Sequence, residues 1–366
     1  MKIKSKLKDI LLLLFSTIFL IIILELFLMI FWKKNESNVL NNTLTPIIEF
    51  DPVLGTKYKK NSIHRVISQY NEFEVNYEIN EYGLRSSELN LDTANNFKIL
   101  GIGNSFLEGW GVNEDSTFIS LYNKSVKRKI INAGISGYGV IQSSLITKKY
   151  LEKFNPQKVI LFFVPSMTLG DAKYLKNAKL NDNGIVVGVN LGNYLLKKTK
   201  KEKTFLSNSN LYNLISERLG NYKKIKKSTN GDYDSDLFAF FKEKKKNPYK
   251  EIVDKHIIYL NKYLSEKNIK FEIIYINLPM QISSNEWDLG RKINKIKKNP
   301  NLIHEENFKN FCKINNIICH FSSTFLKNKI IDNINDQRLY YRYDFHFNEY
   351  GNIIFSQWLK KLFNED

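Results

Sequence analysis

Four short apolar runs, each ended by glycine or proline, constrain the fold of this chain more than any other feature. Lys98-Ile99-Leu100-Gly101-Ile102 stops at Gly103, and Lys129-Ile130-Ile131-Asn132-Ala133 stops at Gly134. Lys158-Val159-Ile160-Leu161-Phe162-Phe163-Val164 stops at Pro165, and Lys270-Phe271-Glu272-Ile273-Ile274-Tyr275-Ile276 is closed by Pro279. Helical stretches lie between them. In Glu251 to Leu264, residues Ile252, His256, Tyr259, Lys262 and Tyr263 fall near one face, with Ile257, Leu260 and Leu264 on the next stripe, the pattern of an amphipathic helix. Phe308 to Ile314 reads as another helix, after which Ile317-Ile318-Cys319 starts a strand. Strands alternating with helices predict an α/β fold of three layers, α/β/α, around a mostly parallel sheet.

About a hundred residues separate the third and fourth runs, far more than a helical crossover needs. An insertion is therefore expected at about 171–250, its charge runs Lys197-Lys198-Thr199-Lys200-Lys201 and Lys242-Glu243-Lys244-Lys245-Lys246 serving as solvated loops or helix faces. The α/β unit takes residues 97–366. Alternating runs such as Phe73-Glu74-Val75-Asn76-Tyr77-Glu78-Ile79 predict accessory strands over 51–96, and the Asn- and Ser-rich segment 33–50 reads as a stalk.

Ahead of the stalk, Ile10 to Trp32 contains one ionisable group, Glu25. At about 1.5 Å per residue such a helix spans a hydrocarbon core of roughly 30 Å. The run is longer than the apolar region of a signal peptide, and Phe31-Trp32-Lys33-Lys34 offers no small-residue cleavage site. Residues 10–32 are expected to be an uncleaved transmembrane helix. Lys2, Lys4, Lys6 and Lys8 mark residues 1–9 as a cytoplasmic basic tail, which places the rest of this single-pass protein on the extracytoplasmic side.

The chain carries 55 Lys and Arg against 37 Asp and Glu, a net charge of +18. The excess is mostly Lys and is spread along the chain. No zinc-finger spacing, basic zipper or RNA-recognition signature accompanies it, so nucleic acid is not the expected partner. Attraction to an anionic membrane surface is the better use of the charge. With 25 Phe and 20 Tyr the chain can fill a sizeable core. The two cysteines, Cys312 and Cys319, exclude a disulfide scaffold and a four-cysteine zinc site; two buried thiols are the default, and a disulfide between them stays open for a domain outside the cytoplasm. His64, His256, His304 and His320 show no metal-ligand spacing and read as structural or surface groups.

In open parallel sheets the ligand crevice lies outside the carboxyl ends of the strands. After the first run comes Gly103-Asn104-Ser105-Phe106, after the second Gly134-Ile135-Ser136-Gly137-Tyr138-Gly139, and after the third Pro165-Ser166-Met167. Asp344-Phe345-His346-Phe347-Asn348 precedes the last helix. This inventory suits nucleophilic catalysis. A serine hydroxyl needs a base, histidine serves near neutral pH, and a carboxylate fixes the imidazole tautomer. The amides of Ser105 and Gly137 are candidate oxyanion donors. Taken singly, each residue also has a plain structural role: Ser105 or Asp344 as a helix cap, Gly137 and Gly139 as turn glycines. The run around Ser105 is not a G-x-S-x-G elbow, which argues against an α/β-hydrolase.

Gly103-Asn104-Ser105-Phe106-Leu107-Glu108-Gly109-Trp110-Gly111-Val112 resembles the first conserved block of the SGNH hydrolases, also called GDSL esterases and lipases. Asn132-Ala133-Gly134-Ile135-Ser136-Gly137-Tyr138-Gly139 resembles their second block, and Asp344-Phe345-His346-Phe347-Asn348-Glu349-Tyr350-Gly351-Asn352 their fifth. Tyr77-Glu78-Ile79-Asn80-Glu81-Tyr82-Gly83-Leu84-Arg85 is similar to a lead-in of membrane-anchored members. The resemblance implies a flavodoxin-like α/β/α fold, Ser105 as nucleophile, His346 as base, Asp344 as triad acid and Gly137 in the oxyanion hole. It calls for no metal or cofactor. Two positions depart from the pattern: Asn104 replaces the usual Asp, and Ser166 stands where the third block normally has an Asn that donates to the oxyanion. Ser166 is thus the candidate third donor. The expected function is hydrolysis of acyl esters, with O-acetyl groups of a surface glycan as one candidate substrate. An acyltransferase on the same scaffold, and an inactive carbohydrate-binding or assembly protein, are the alternatives.

Overall fold

The computed structural model describes residues 2–31, 48–68, 70–85, 97–190, 211, 250–294, 296, 300–331 and 337–363. The expected stalk, apart from its last three residues, and both lysine-rich runs of the insertion lie outside them. Two antiparallel hairpins come first, β1 (Ile48–Asp51) with β2 (Gly55–Tyr58), then β3 (Ser62–Ile67) with β4 (Glu74–Ile79). In β4 burial alternates strictly, Val75, Tyr77 and Ile79 facing in, as the period-two pattern requires. The first strand begins at Ile48, inside the segment expected as stalk.

The central sheet holds β5 (Phe97–Gly103), β6 (Lys129–Gly134), β7 (Lys158–Phe163), β10 (Lys270–Tyr275) and β11 (Ile318–Phe321). Between β7 and β10 lies a short antiparallel pair, β8 (Ala178–Leu180) and β9 (Val186–Val189). All five central strands are parallel, in the order β11-β10-β7-β5-β6. Register matters for the site. Gly103 pairs with both Gly134 and Phe162, and Tyr275 with both Phe163 and Phe321, so the carboxyl ends form one level rim.

Consecutive residues of a strand face opposite sides of a sheet, and Phe162 and Phe163 report which helices cover which side. Phe162 contacts Phe118 of helix Phe118–Asn123, which in turn packs on Phe355 of helix Glu349–Leu362. Phe163 stacks on Phe308 of helix Ile303–Ile314 at 4.3 Å. Helix Lys250–Ser265 lies on that second side, against helix Val140–Phe154. Its buried residues are Val253, His256, Ile257, Leu260 and Leu264, so the second of the two stripes is the inward one. Helix Ile303–Ile314 starts one turn before Phe308. Its first turn is polar, with Glu305 and Glu306 suited to the positive end of a helix, and the apolar period is silent there.

Of the two states open to Cys312 and Cys319, the structure holds the disulfide and not the default pair of thiols, with Cα atoms 6.3 Å apart. Asn316, at φ +52, reverses the chain after the helix and brings β11 back beside it. At the opposite end of the sheet from the rim, Glu272 of β10 meets Lys158 Nζ at 2.6 Å and His320 Nε2 at 2.9 Å. Burial works to raise the Glu272 carboxyl, but these two partners outweigh it and hold it at about 2. A depressed carboxylate stabilises the fold above its ordinary value of 4.5 and loses that contribution as pH falls toward about 2. Glu272→Gln is therefore expected to flatten the fall of the urea midpoint between pH 5 and pH 3 relative to wild type. An equal fall in both proteins would contradict the pairing.

Helix Lys2–Phe31 contains the stretch Leu11–Leu28, of mean hydropathy 2.9, long and apolar enough to cross a membrane; a signal sequence would meet the same description. Glu25 within it accepts a hydrogen bond from the Leu211 N–H at 2.9 Å.

Candidate active site

Ser105 opens a four-residue helix directly after β5. The cap of that helix is Asn104, whose Oδ1 accepts the Phe106 N–H at 3.1 Å, so the serine hydroxyl is not consumed in capping. It lies 2.7 Å from His346 Nε2. On the other side of the ring, Nδ1 is 2.5 Å from Asp344 Oδ1, which also accepts the His346 backbone N–H at 3.0 Å. The helix that follows is capped by Asn348 rather than Asp344. Three residues from two distant parts of the sequence are thus brought into one line, Ser105 and Asp344 half-buried and His346 buried.

The electrostatics favour an ionised Asp344. Burial works to raise its carboxyl, but the charge and hydrogen bonds of His346, with a hydrogen bond from Trp110 Nε1 at 3.1 Å, hold it below the usual carboxylate range. A carboxylate on Nδ1 leaves Nε2 as the nitrogen free to accept the serine proton.

The β6 loop supplies Gly137, exposed and at φ +80, where an added Cβ would meet nothing but whose backbone only glycine adopts without strain. Among the described residues, neither the Ser105 nor the Gly137 amide donates a hydrogen bond within the protein. Helix Met167–Leu175 clamps this turn: a Cβ on Gly170 would lie 2.6 Å from both the Gly137 oxygen and the Gly139 nitrogen. Asp171 accepts the N–H groups of Val140 and Ile141, and burial pushes its carboxyl up to about 7 against those two bonds. Ser166 sits at the end of β7, beside β5, and its Oγ is buried without a hydrogen-bond partner among the described residues.

Several residues of the site were not marked by sequence reasoning. Glu72, in the turn between β3 and β4, accepts three consecutive backbone N–H groups of the Asp344 loop, from Arg342 (2.7 Å), Tyr343 (3.0 Å) and Asp344 (2.9 Å). Glu108 is fully buried and accepts hydrogen bonds from the hydroxyls of Tyr58 and Ser136, joining β2 to the Gly137 loop; burial raises its carboxyl. Arg85 reaches the carbonyls of Gly109 (2.6 Å) and Val112 (2.5 Å) and lies over the Tyr77 ring at 3.8 Å, bracing the segment that carries Trp110. Glu108, Trp110 and Arg85 all lie in segments quoted above for their resemblance; Glu72 gave no signal. Among the described residues no group of three or more His, Cys, Asp or Glu is placed to hold a metal ion.

No family model and no curated protein matches the chain. Solved structures with a similar arrangement include an acetyl xylan esterase, AlAXEase (14% identity, TM-score 0.38, covering 73% of this chain and 99% of that one). A GDSL-like lipase from Bacteroides thetaiotaomicron matches at 12% identity and TM-score 0.36, over 75% of this chain and 95% of that one. The psychrotrophic esterase EstA from Pseudoalteromonas matches at 11% identity and TM-score 0.33, over 73% and 98%. At such distances the chemistry of the site rests on its own side-chain geometry.

Proposed function

We propose that this chain is a serine hydrolase that cleaves acyl esters, anchored by residues 10–32 with its α/β domain on the extracytoplasmic side. The observation that carries the reading is the line Ser105 Oγ–His346 Nε2, 2.7 Å, continued from Nδ1 to Asp344. Ser105 Oγ attacks the ester carbonyl carbon while its proton passes to His346 Nε2. The resulting oxyanion accepts hydrogen bonds from the Ser105 and Gly137 amides, with the Ser166 hydroxyl as third donor. Collapse expels the alcohol, which takes the proton from His346, and leaves an acyl group on Ser105. Water, deprotonated by the same imidazole, then releases the acid and restores the serine. The unpartnered Ser166 hydroxyl and the two undirected amides support this assignment.

The Cys312–Cys319 disulfide supports placement outside a reducing cytosol, and the basic residues before the apolar helix support the same orientation. Location and fold analogy make O-acetyl groups of surface carbohydrate a candidate substrate. A fluorophosphonate probe tests the reading: purified full-length protein should label stoichiometrically, and labelling should vanish in Ser105→Ala. No labelling of folded wild type would favour the inactive alternative. Release of acid with and without a glycan acceptor separates hydrolase from transferase.

A further inference from the structure

A cavity of about 190 Å³ opens on the helix-covered side of the sheet, at the carboxyl ends of β7 and β10. Four aromatic rings make much of its wall, with Val253 and Pro165 beside them and His304 and Asn307 as polar members. Phe163 and Tyr275, the last residues of those strands, meet Phe308 at 4.3 and 5.5 Å, and Phe308 meets Phe311 at 5.6 Å. The Tyr275 hydroxyl accepts a hydrogen bond from Gln281 and the Thr168 hydroxyl donates to the Pro165 carbonyl, so both turn apolar surface to the space. The charged pair at its edge, Lys250 and Asp254, is joined in an ion pair and offers no net charge to a ligand. The aromatic majority of this lining favours hydrocarbon over a charged ligand.

The cavity is bounded by the segment that carries Ser166. Pro165 and Thr168, which line it, flank Ser166 in sequence. Thr168 stands two residues from Gly170, which presses on the Gly137–Gly139 turn. β7, whose Phe163 lines the cavity, pairs with β5, about 4.8 Å away, and Ser105 lies two residues past the end of β5.

We propose that this cavity is the acyl subsite and that the substrate carries an unbranched acyl chain of about six to eight carbons. The inference rests on the ester-hydrolase reading and replaces its acetyl candidate with a longer acyl group. A methylene occupies nearly the volume of a water molecule, roughly 30 Å³, so the space holds about six carbons or more, and an acetyl group would leave most of it unfilled. Burying each further methylene should raise kcat/KM about three- to fourfold until the cavity is full.

The test is a series of p-nitrophenyl esters from two to twelve carbons on the full-length protein, with Val253, on the cavity wall, varied in size. Wild type should climb to an optimum at six to eight carbons. Val253→Trp should lower the octanoate-to-acetate ratio of kcat/KM by about tenfold. Val253→Ala, which cannot overpack, should move the optimum to longer chains. Acetate turnover with a flat dependence on chain length, and the same ratio in both variants, would overturn the acyl subsite while leaving the hydrolase standing. No turnover of any ester and no fluorophosphonate labelling would overturn both.

Discussion

Ser105→Ala is expected to lower kcat for a p-nitrophenyl ester by at least about 10,000-fold, and His346→Ala by a similar factor. The two residues act as one unit: the hydroxyl is a poor nucleophile until the imidazole 2.7 Å away removes its proton, and without the serine no acyl-enzyme forms for the imidazole to hydrolyse. The double variant should therefore be no slower than either single one. Asp344→Asn should cost about the same order. The amide keeps the shape but can present its NH₂ to Nδ1, favouring the tautomer in which Nε2 carries the proton and cannot accept another. Residual activity above the uncatalysed rate should persist in all three, because the Ser105 and Gly137 amides remain in the backbone. The measurement is steady-state kinetics on variants whose near-UV circular dichroism matches wild type. Ser105→Ala within tenfold of wild type would remove the serine from the mechanism.

How far the sequence foretold this arrangement depended on whether a feature was local. The strands of the rim were legible because apolar runs closed by Gly103, Gly134 and Pro165 carry their own boundaries, and the observed β5, β6 and β7 differ from those runs by a residue or so. Ser105, Asp344 and His346 were legible because each sits in a dense local pattern at the end of a predicted element. Glu108 lies in the same pattern, yet its burial depends on hydroxyls 50 residues before it and 28 after it, which no local spacing reveals. The disulfide stayed undecided for a related reason: a spacing of seven fits two buried thiols as well as a bridge, and the choice lies in the left-handed turn at Asn316. The cavity was invisible because its walls come from both halves of the α/β unit.

Glu72 is the most consequential of the residues the sequence did not mark, and Glu72→Ala is expected to lower kcat by about 100-fold with little change in KM. In sequence it is one more polar residue in a hairpin turn. In the fold its Oε1 accepts the N–H groups of Arg342 and Tyr343 and its Oε2 that of Asp344. It thus fixes the backbone of the carboxylate that orients His346, without touching substrate. A misplacement of about 1 Å in such a supporting contact is enough for a loss of this size. Glu72→Gln keeps the length but turns an NH₂ toward at least one of the three N–H groups, so it should recover only part of the rate. Burial raises the Glu72 carboxyl against the three backbone bonds that lower it, and nearby Asp344 adds to the rise. Its proton therefore binds at a less acidic pH than an ordinary glutamate's, which favours the fold slightly as pH falls but removes an acceptor from the Asp344 loop. Wild type should lose activity on acidification in a step that Glu72→Gln lacks. A role confined to holding the hairpin would lower stability in both variants and leave the pH profile of the remaining activity where it was; that result, or a kcat within twofold of wild type in Glu72→Ala, would reduce Glu72 to a packing residue.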